Sequence, residues 1–516
     1  MANLFQNLKN FSSSTTDNFD TQELISVTAS VIEFENHLVQ ASQQRDIERL
    51  AIEGIPIWHF LKTILTADLY KRLLRQRALK RRNMARYRIS LAAQQLAVNV
   101  KSGLFRETEL LSHGHSECLF LASLANNFEI DGRKIVPTVD FLRLLVRDLR
   151  GVDTDLFILH TDHKEVAAQN FFVPNVFGFS SGLGRSRWSK KKGDLDFGST
   201  LKQIDGILSH YAKVLRIDRA EALVWIKAMI KQFLGVYDYA IKFLNMVNPA
   251  YLFVTEGGHL EPQAFACAAG ALGIKVIEIQ HGVLRPSQRA KLVGDGPKLD
   301  GLPDVFLSWQ DNNIPGVKFI GPPVSHWLES GPQGLIEMGM EESRAFRIFK
   351  KEDNKCRPIE NQKVLGIIYQ DGMDLDWINT VVAHFGQLLK IEIRTRPDAA
   401  ATPNQYANRH SKICRVTLSN KQSIWSFCIG KSLLVTDHSS AVVEADIMGI
   451  PIFTISPLAN YLFSAHGQGN LWRAFSNSEE LSRYLVTQPL PSHIGPRQHT
   501  SIDRVKTAIH EIFEDS

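Results

Sequence analysis

Four short segments carry side chains that could do chemistry, and each closes an apolar run. Residues 255–259 read TEGGH. Glu256 would end an apolar strand, where a carboxylate can take a proton from an acceptor hydroxyl or bind the hydroxyls of a sugar. Gly257 and Gly258 permit close approach of a ligand to the backbone, and His259 falls near the start of the next helix. The same carboxylate could instead cap that helix. One strand later comes IQHG, with Gln280, His281 and Gly282. An imidazole titrates near neutral pH, so His281 could remove an acceptor proton or donate a hydrogen bond to a phosphate. A purely structural histidine is the alternative.

The third segment is DHSSAVVEA, residues 437–445. Ser439 and Ser440 open a helix directly after a strand, where hydroxyls and free N–H groups bind phosphate well. Glu444 lies about a turn further on, at a distance suited to ribose hydroxyls. The bland reading is that Ser439 is only an N-cap. The fourth is IRTRPD, in which Arg394 and Arg396 could neutralise a phosphate leaving group or make surface ion pairs. A weaker fifth is QDG, where Asp371 is a cleft residue or a turn residue. No Walker loop, dinucleotide fingerprint or GxSxG elbow occurs. DLD at 374–376 opens a helix and is not a DxD metal pair. The expectation is metal-independent chemistry with no cofactor and no metal ligands.

These residues need elements to hold them. ECLFLAS, TDLFILH, YLFVTEGG, KVIEIQHG, VFLSW and KFIGPPV read as strands. Pro137 opens a helix that stops at Gly151. Helices are also expected over 200–213, 218–247 and the small-residue stretch ending at Gly273. After the polar stretch 350–362, KVLGIIYQDG, KIEIRTRPD, KSLLVTDHSS and PIFTIS alternate with helices. Ser476 three residues before Glu479 has a capping-box spacing. Strands alternating with helices specify parallel sheets, and ligands bind beyond the C-terminal ends of such strands. All five polar tips fall at those ends. The predicted fold is α/β and GT-B-like: two Rossmann-like lobes facing a central cleft, with a helical N-terminal region. Its boundaries are 1–115 for the helical region, 116–330 for an acceptor lobe, 331–490 for a nucleotide-sugar lobe, and 491–516 for a helix returning to the first lobe.

Composition agrees with a globular chain. It has 516 residues, 44% hydrophobic and 22% charged, too long for one ordinary core. No run is long and apolar enough to span a bilayer, and no secretory signal is expected at the start. The five cysteines form neither zinc spacing nor a disulfide framework, which fits a reducing cytoplasm. The net charge of +5 is uneven. KRLLRQRALKRRNMARYR, residues 71–88, is strongly basic, and its Lys71, Arg72, Arg75 and Arg77 flank an apolar stripe of Leu61, Ile64, Leu65, Leu69, Leu73 and Leu74. Such a segment can lie on an anionic membrane, contact nucleic acid, or simply be a solvated helix face. Of the two ligands, nucleic acid is not favoured.

The segment NPAYLFVTEGGHLEPQAFACAAGALGIKVIEIQHGVL resembles the end of the first lobe in GT-B glycosyltransferases of bacterial surface polysaccharides. SLLVTDHSSAVVEADIMGIPIF resembles their donor-binding segment. The resemblance spans roughly residues 250–460 and is nearest to transferases of CMP-activated acidic sugars, such as sialic acid or Kdo. It implies Glu256 as base and Ser439 and Ser440 as the phosphate pair. RPD stands where those families carry His-Pro. The segments also resemble CDP-glycerol-type polyol-phosphate transferases, which would move the base to His281. The implied activity is transfer of a sugar from a nucleotide-sugar substrate to a lipid-linked or glycan acceptor. It would operate in the cytoplasm, with peripheral contact to the inner membrane face through residues 71–88. A CDP-polyol phosphotransferase and a non-catalytic glycan- or nucleic-acid-binding protein are the alternatives.

Overall fold

The computed structural model describes, apart from short stretches, residues 21–78, 116–179, 197–280, 302–320, 363–489 and 502–514. Residues 256–258, 281–301, 371–372, 396–399 and 438 lie outside the described residues. The chain separates into two compact units. One holds Ser30–Leu73, Arg81–Pro323 and Thr500–Ser516, and the other Val324–His499 with Met1–Ala29 and Leu74–Lys80.

Strands β1 (Ala51–Ile52) and β2 (Ile55–Pro56) form a short hairpin turned by Glu53 and Gly54, both at positive φ. The main sheet of the first unit contains β3 (Cys118–Ala122), β6 (Thr154–Leu159), β7 (Val176–Phe179), β8 (Tyr251–Thr255), β9 (Lys275–Ile279), β10 (Val305–Ser308) and β11 (Val317–Phe319). A separate antiparallel pair, β4 (Phe128–Ile130) and β5 (Arg133–Ile135), lies between β3 and β6 in sequence. The seven strands run in the order β11-β10-β9-β8-β3-β6-β7, all parallel. From β3 the chain winds outward to β7, returns to β8 and winds the other way. That is the doubly wound Rossmann-like order, with its switch point between β3 and β8.

Both central strands are buried along their whole length, as helices on both faces require. Phe120 stacks on its register partner Phe253 with centroids 4.3 Å apart. The helix Pro137–Arg150 stops where Gly151 takes φ 66° and bonds back to Arg147. It is latched by Arg143, which is fully buried. Arg143 pairs with Asp140 at 3.3 Å and donates to Thr154 O at 2.8 Å and to Pro174 O. Burial pushes the Asp140 carboxyl up, while Arg143 and the Val136 N–H pull it back.

The N-terminal helices pack into this unit. Phe34 of Thr21–Ser42 meets Tyr211, and Phe60 of Trp58–Ala78 stacks on Phe233 at 4.5 Å. Leu61, Leu65 and Leu69 are fully buried. These three residues of the apolar stripe are therefore spent on the protein's own core, and Ile64 is half-buried. The side chains of 71–88 lie outside the described residues. The last helix, Ile502–Glu514, also packs here: Lys275 donates to Ile512 O at 2.7 Å, Lys318 pairs with Glu511, and Phe513 meets Tyr251 edge-on. Among the described residues no helix is long and apolar enough to cross a membrane.

The second unit repeats the pattern with β12 (Lys363–Ile368), β13 (Leu389–Thr395), β14 (Cys414–Leu418), β15 (Leu433–Thr436), β16 (Ile452–Thr454) and β17 (Trp472–Ala474). The order is β14-β13-β12-β15-β16-β17, again all parallel, with the switch point between β12 and β15. One face carries Leu365, Ile367, Ile391, Ile393, Val435 and Phe453 in a single apolar cluster. The alternate residues point to the other face. There Gly366 lacks a side chain, and the stem of Lys431 crosses over it: a Cβ at 366 would sit 3.1 Å from Lys431 Cγ and 2.6 Å from Leu434 Cδ2. Lys431 thereby reaches the buried Glu392 at 2.9 Å.

The expected capping box is shifted by one residue. Asn477, extended at φ −160°, is the N-cap of Ser478–Thr487 and accepts from Glu480 N; Glu480 in turn accepts from Ser476 N. Asparagine caps as well as serine, and this register satisfies both N–H groups. The chain thus has the α/β, GT-B-like content expected of it, two Rossmann-like lobes with two switch points.

Candidate functional site

In the first lobe, β8 ends at Thr255, which is buried, and its hydroxyl donates across the switch point to Leu121 O at 3.3 Å. Glu256, Gly257 and Gly258 follow directly and lie outside the described residues. The helix after them, Leu260–Ala271, is entered through His259, which is its N-cap and uses no side-chain bond to cap it. His259 is exposed. Register pairs Thr255 with Ile279 of β9. TEGG and IQHG therefore leave neighbouring parallel strands at the same level.

Gln280 is 2% exposed, and its amide oxygen accepts from Trp309 N at 2.7 Å and Ser308 Oγ at 3.3 Å. The side chain stitches the end of β9 to the end of β10. Its amide oxygen is thus engaged within the sheet edge, one residue before His281. His281 and Gly282 lie outside the described residues.

In the second lobe three motifs reach one edge. Ile368 of β12 is level with Arg394 of β13 and with Thr436 of β15. Thr436 donates its hydroxyl to Ile368 O at 2.9 Å. Thr255 makes a bond of the same kind across the first lobe's switch point, there to Leu121, the residue level with Val254. Asp437 is buried and accepts from Ser456 Oγ.

Ser439 and Ser440 are half-buried. Ser440 is the residue before the helix Ala441–Ile447, and Ser439 Oγ accepts from Ala441 N at 3.3 Å. Glu444 sits in the first turn, half-buried. It shares the neighbourhood of Arg394 and Lys431, because all three act on Cys428. Burial pushes that thiol up to about 12, Glu444 adds to the shift, and Arg394 and Lys431 oppose it. Arg396 and Asp371 lie outside the described residues.

Solved structures with a similar chain course are nucleotide-sugar and cell-wall-polymer enzymes. The UDP-GlcNAc 2-epimerase of Neisseria meningitidis, bound to UDP-GlcNAc, is 10% identical with a TM-score of 0.41, over 77% of this chain and 99% of that one. The UDP-N-acetylglucosamine 2-epimerase of Rickettsia bellii is 10% identical with a TM-score of 0.44, over 78% and 97%. The wall teichoic acid polymerase TagF, in a crystal soaked with CDPG, is 10% identical with a TM-score of 0.38, over 84% and 90%. No protein-family model and no curated protein sequence matches the chain. The chemistry of the site rests on its own residues.

Two features of the site escaped sequence reasoning. Asp437 stands inside a motif that the sequence singles out, yet its partner Ser456 lies 19 positions on, beyond another strand. The threonine pair, Thr255 and Thr436, is visible in TEGG and TDHSS as a shared Thr followed by an acidic residue. That repetition was the available signal.

Proposed function

We propose that the protein is a metal-independent glycosyltransferase that moves a sugar from a nucleotide-sugar, with a CMP-linked acidic sugar favoured, to a lipid-linked or glycan acceptor. One observation carries the reading: TEGG and TDHSS each leave the strand that borders the switch point of a doubly wound sheet, where ligands of such sheets bind. In the first lobe, Glu256 or His281 takes the proton of the acceptor hydroxyl. The acceptor oxygen then bonds to the anomeric carbon as the bond from that carbon to the phosphate oxygen breaks. In the second lobe, Arg396 and the hydroxyls of Ser439 and Ser440 receive the charge that develops on the phosphate. Glu444 holds ribose hydroxyls. Gly257, Gly258, His259, Gly282 and Asp371 border the substrates, and Gln280 sets the strand end that precedes His281. The nucleotide-sugar is a substrate, and the reaction uses no bound cofactor. Inversion at the anomeric carbon is the expected outcome, since a general base serves a direct displacement.

Polyol-phosphate transfer is the second reading. The His281-Gly282 pair that follows β9 in sequence and the TD-x-SS segment favour it, and Arg396 and Pro397 stand where the CMP-sugar reading expects His-Pro. Calorimetry with CMP, CDP, UDP and GDP, followed by product analysis with the nucleotide that binds, separates the two. A nucleotide-bound crystal structure with the phosphates at Ser439 and Ser440 supports the assignment of lobes. Phosphates beside Thr255 overturn it.

A further inference from the structure

Asp437 precedes the serine pair but has no part in the chemistry proposed above. It is 8% exposed, and a carboxylate so placed needs hydrogen-bond partners. Its Oδ1 accepts from the hydroxyl of Ser456, itself 1% exposed. Ser456 follows β16, the strand beside β15, and its Oγ accepts the Ala459 N–H at 3.0 Å. On the opposite side, Thr436 ties the same strand end to β12. The chain leaving β15 is thus held from both neighbouring strands just before the two serines. Hydroxyls that recognise a phosphate must be held to within about half an ångström.

We infer that Asp437 is a positioning residue for donor binding: held by Ser456, it fixes the strand end from which Ser439 and Ser440 present their hydroxyls to the phosphate. The inference rests on the proposed function, and in it Asp437 touches no reacting atom.

The test is calorimetry of the full chain with CMP, CDP, UDP and GDP, using Asp437→Ala, Asp437→Asn and Ser456→Ala. For the nucleotide the wild type binds, Asp437→Ala and Ser456→Ala are each expected to weaken binding about tenfold, the size of one lost charge-assisted hydrogen bond. The two together should cost little more than either alone. Asp437→Asn keeps an acceptor for Ser456 and should restore most of the affinity. In a Ser439→Ala, Ser440→Ala background, Asp437→Ala should cost nothing further, which a general loss of packing would not reproduce. Should Asp437→Ala fail to fold, Ser456→Ala and Asp437→Asn carry the comparison. Wild-type affinity in folded Asp437→Ala, or an equal loss in the serine-free background, overturns the inference and leaves the transferase reading standing. A wild type that binds none of the four nucleotides overturns both.

Discussion

In the proposed transfer a proton has to leave the acceptor hydroxyl, and two side chains are candidates for taking it. Glu256 and His281 come from the ends of neighbouring strands whose last residues, Thr255 and Ile279, are level. Resemblance favours the carboxylate. Glu256→Gln is then expected to lower kcat by about 10²–10⁴-fold, while His281→Ala acts mainly on KM. Steady-state kinetics over a pH series checks this. The reverse pattern assigns the proton to His281 and favours polyol-phosphate transfer. At this scale the sequence was informative about residue type and poor about role. Gln280 reads as a cleft residue beside His281, yet its amide oxygen is bonded to Trp309 and Ser308. Nothing in IQHG indicates which strand its amide oxygen will meet.

Among the elements, β13 and the segment entering β15 depend on one buried ion pair. Glu392 and Lys431 are each 5% exposed at the side chain and 2.9 Å apart, and Gly366 makes room for the lysine stem. Burial opposes the charge on Glu392. Lys431, Arg415 and Lys390 outweigh it and hold the carboxyl below its ordinary value of 4.5. The unfolded chain therefore binds more protons just below that value. The stabilisation is present above pH 4.5 and is lost as the pH falls through the folded value. Glu392→Gln leaves Lys431 without its buried partner and should cost about 3–5 kcal/mol near neutral pH. Urea unfolding near pH 7 and near pH 4 should show the gap between variant and wild type narrowing in acid. A gap independent of pH would locate the loss in packing. Strands β12, β13, β15 and β16 were all legible as apolar runs closed by polar tips. The edge strands β14 and β17 were not, because CRVTL and WRA are only partly buried and form no continuous apolar run.

For the whole molecule, chain ends and charge make separate predictions. The helix Ile502–Glu514 covers Tyr251, Lys275 and Lys318 of the first lobe. Truncation after Gln498 should lower amide-exchange protection in residues 251–279 and 317–319 and leave that of 363–436 unchanged. Equal loss in both regions would contradict two separately stabilised lobes. The basic segment 71–88 should carry the protein onto anionic vesicles but not neutral ones, and binding should fall as salt screens the attraction. Co-sedimentation at two salt concentrations checks it. Salt-independent binding would point to an apolar contact. Leu61, Leu65 and Leu69, which precede this segment, are fully buried and cannot supply such a contact.

The sequence by itself determined what depends on neighbours along the chain. Apolar runs became strands, Pro137 and Gly151 bounded a helix, and the polar motifs fell at strand ends. These follow from backbone sterics and local periodicity, which a few adjacent residues encode. Tertiary structure alone decided which strands became neighbours. An alternating or all-apolar strand satisfies its ladder against any partner of the same kind. So the two switch points, the bond from Thr436 to Ile368 across 68 positions, and the hold of Ser456 on Asp437 emerge only when packing has chosen the order.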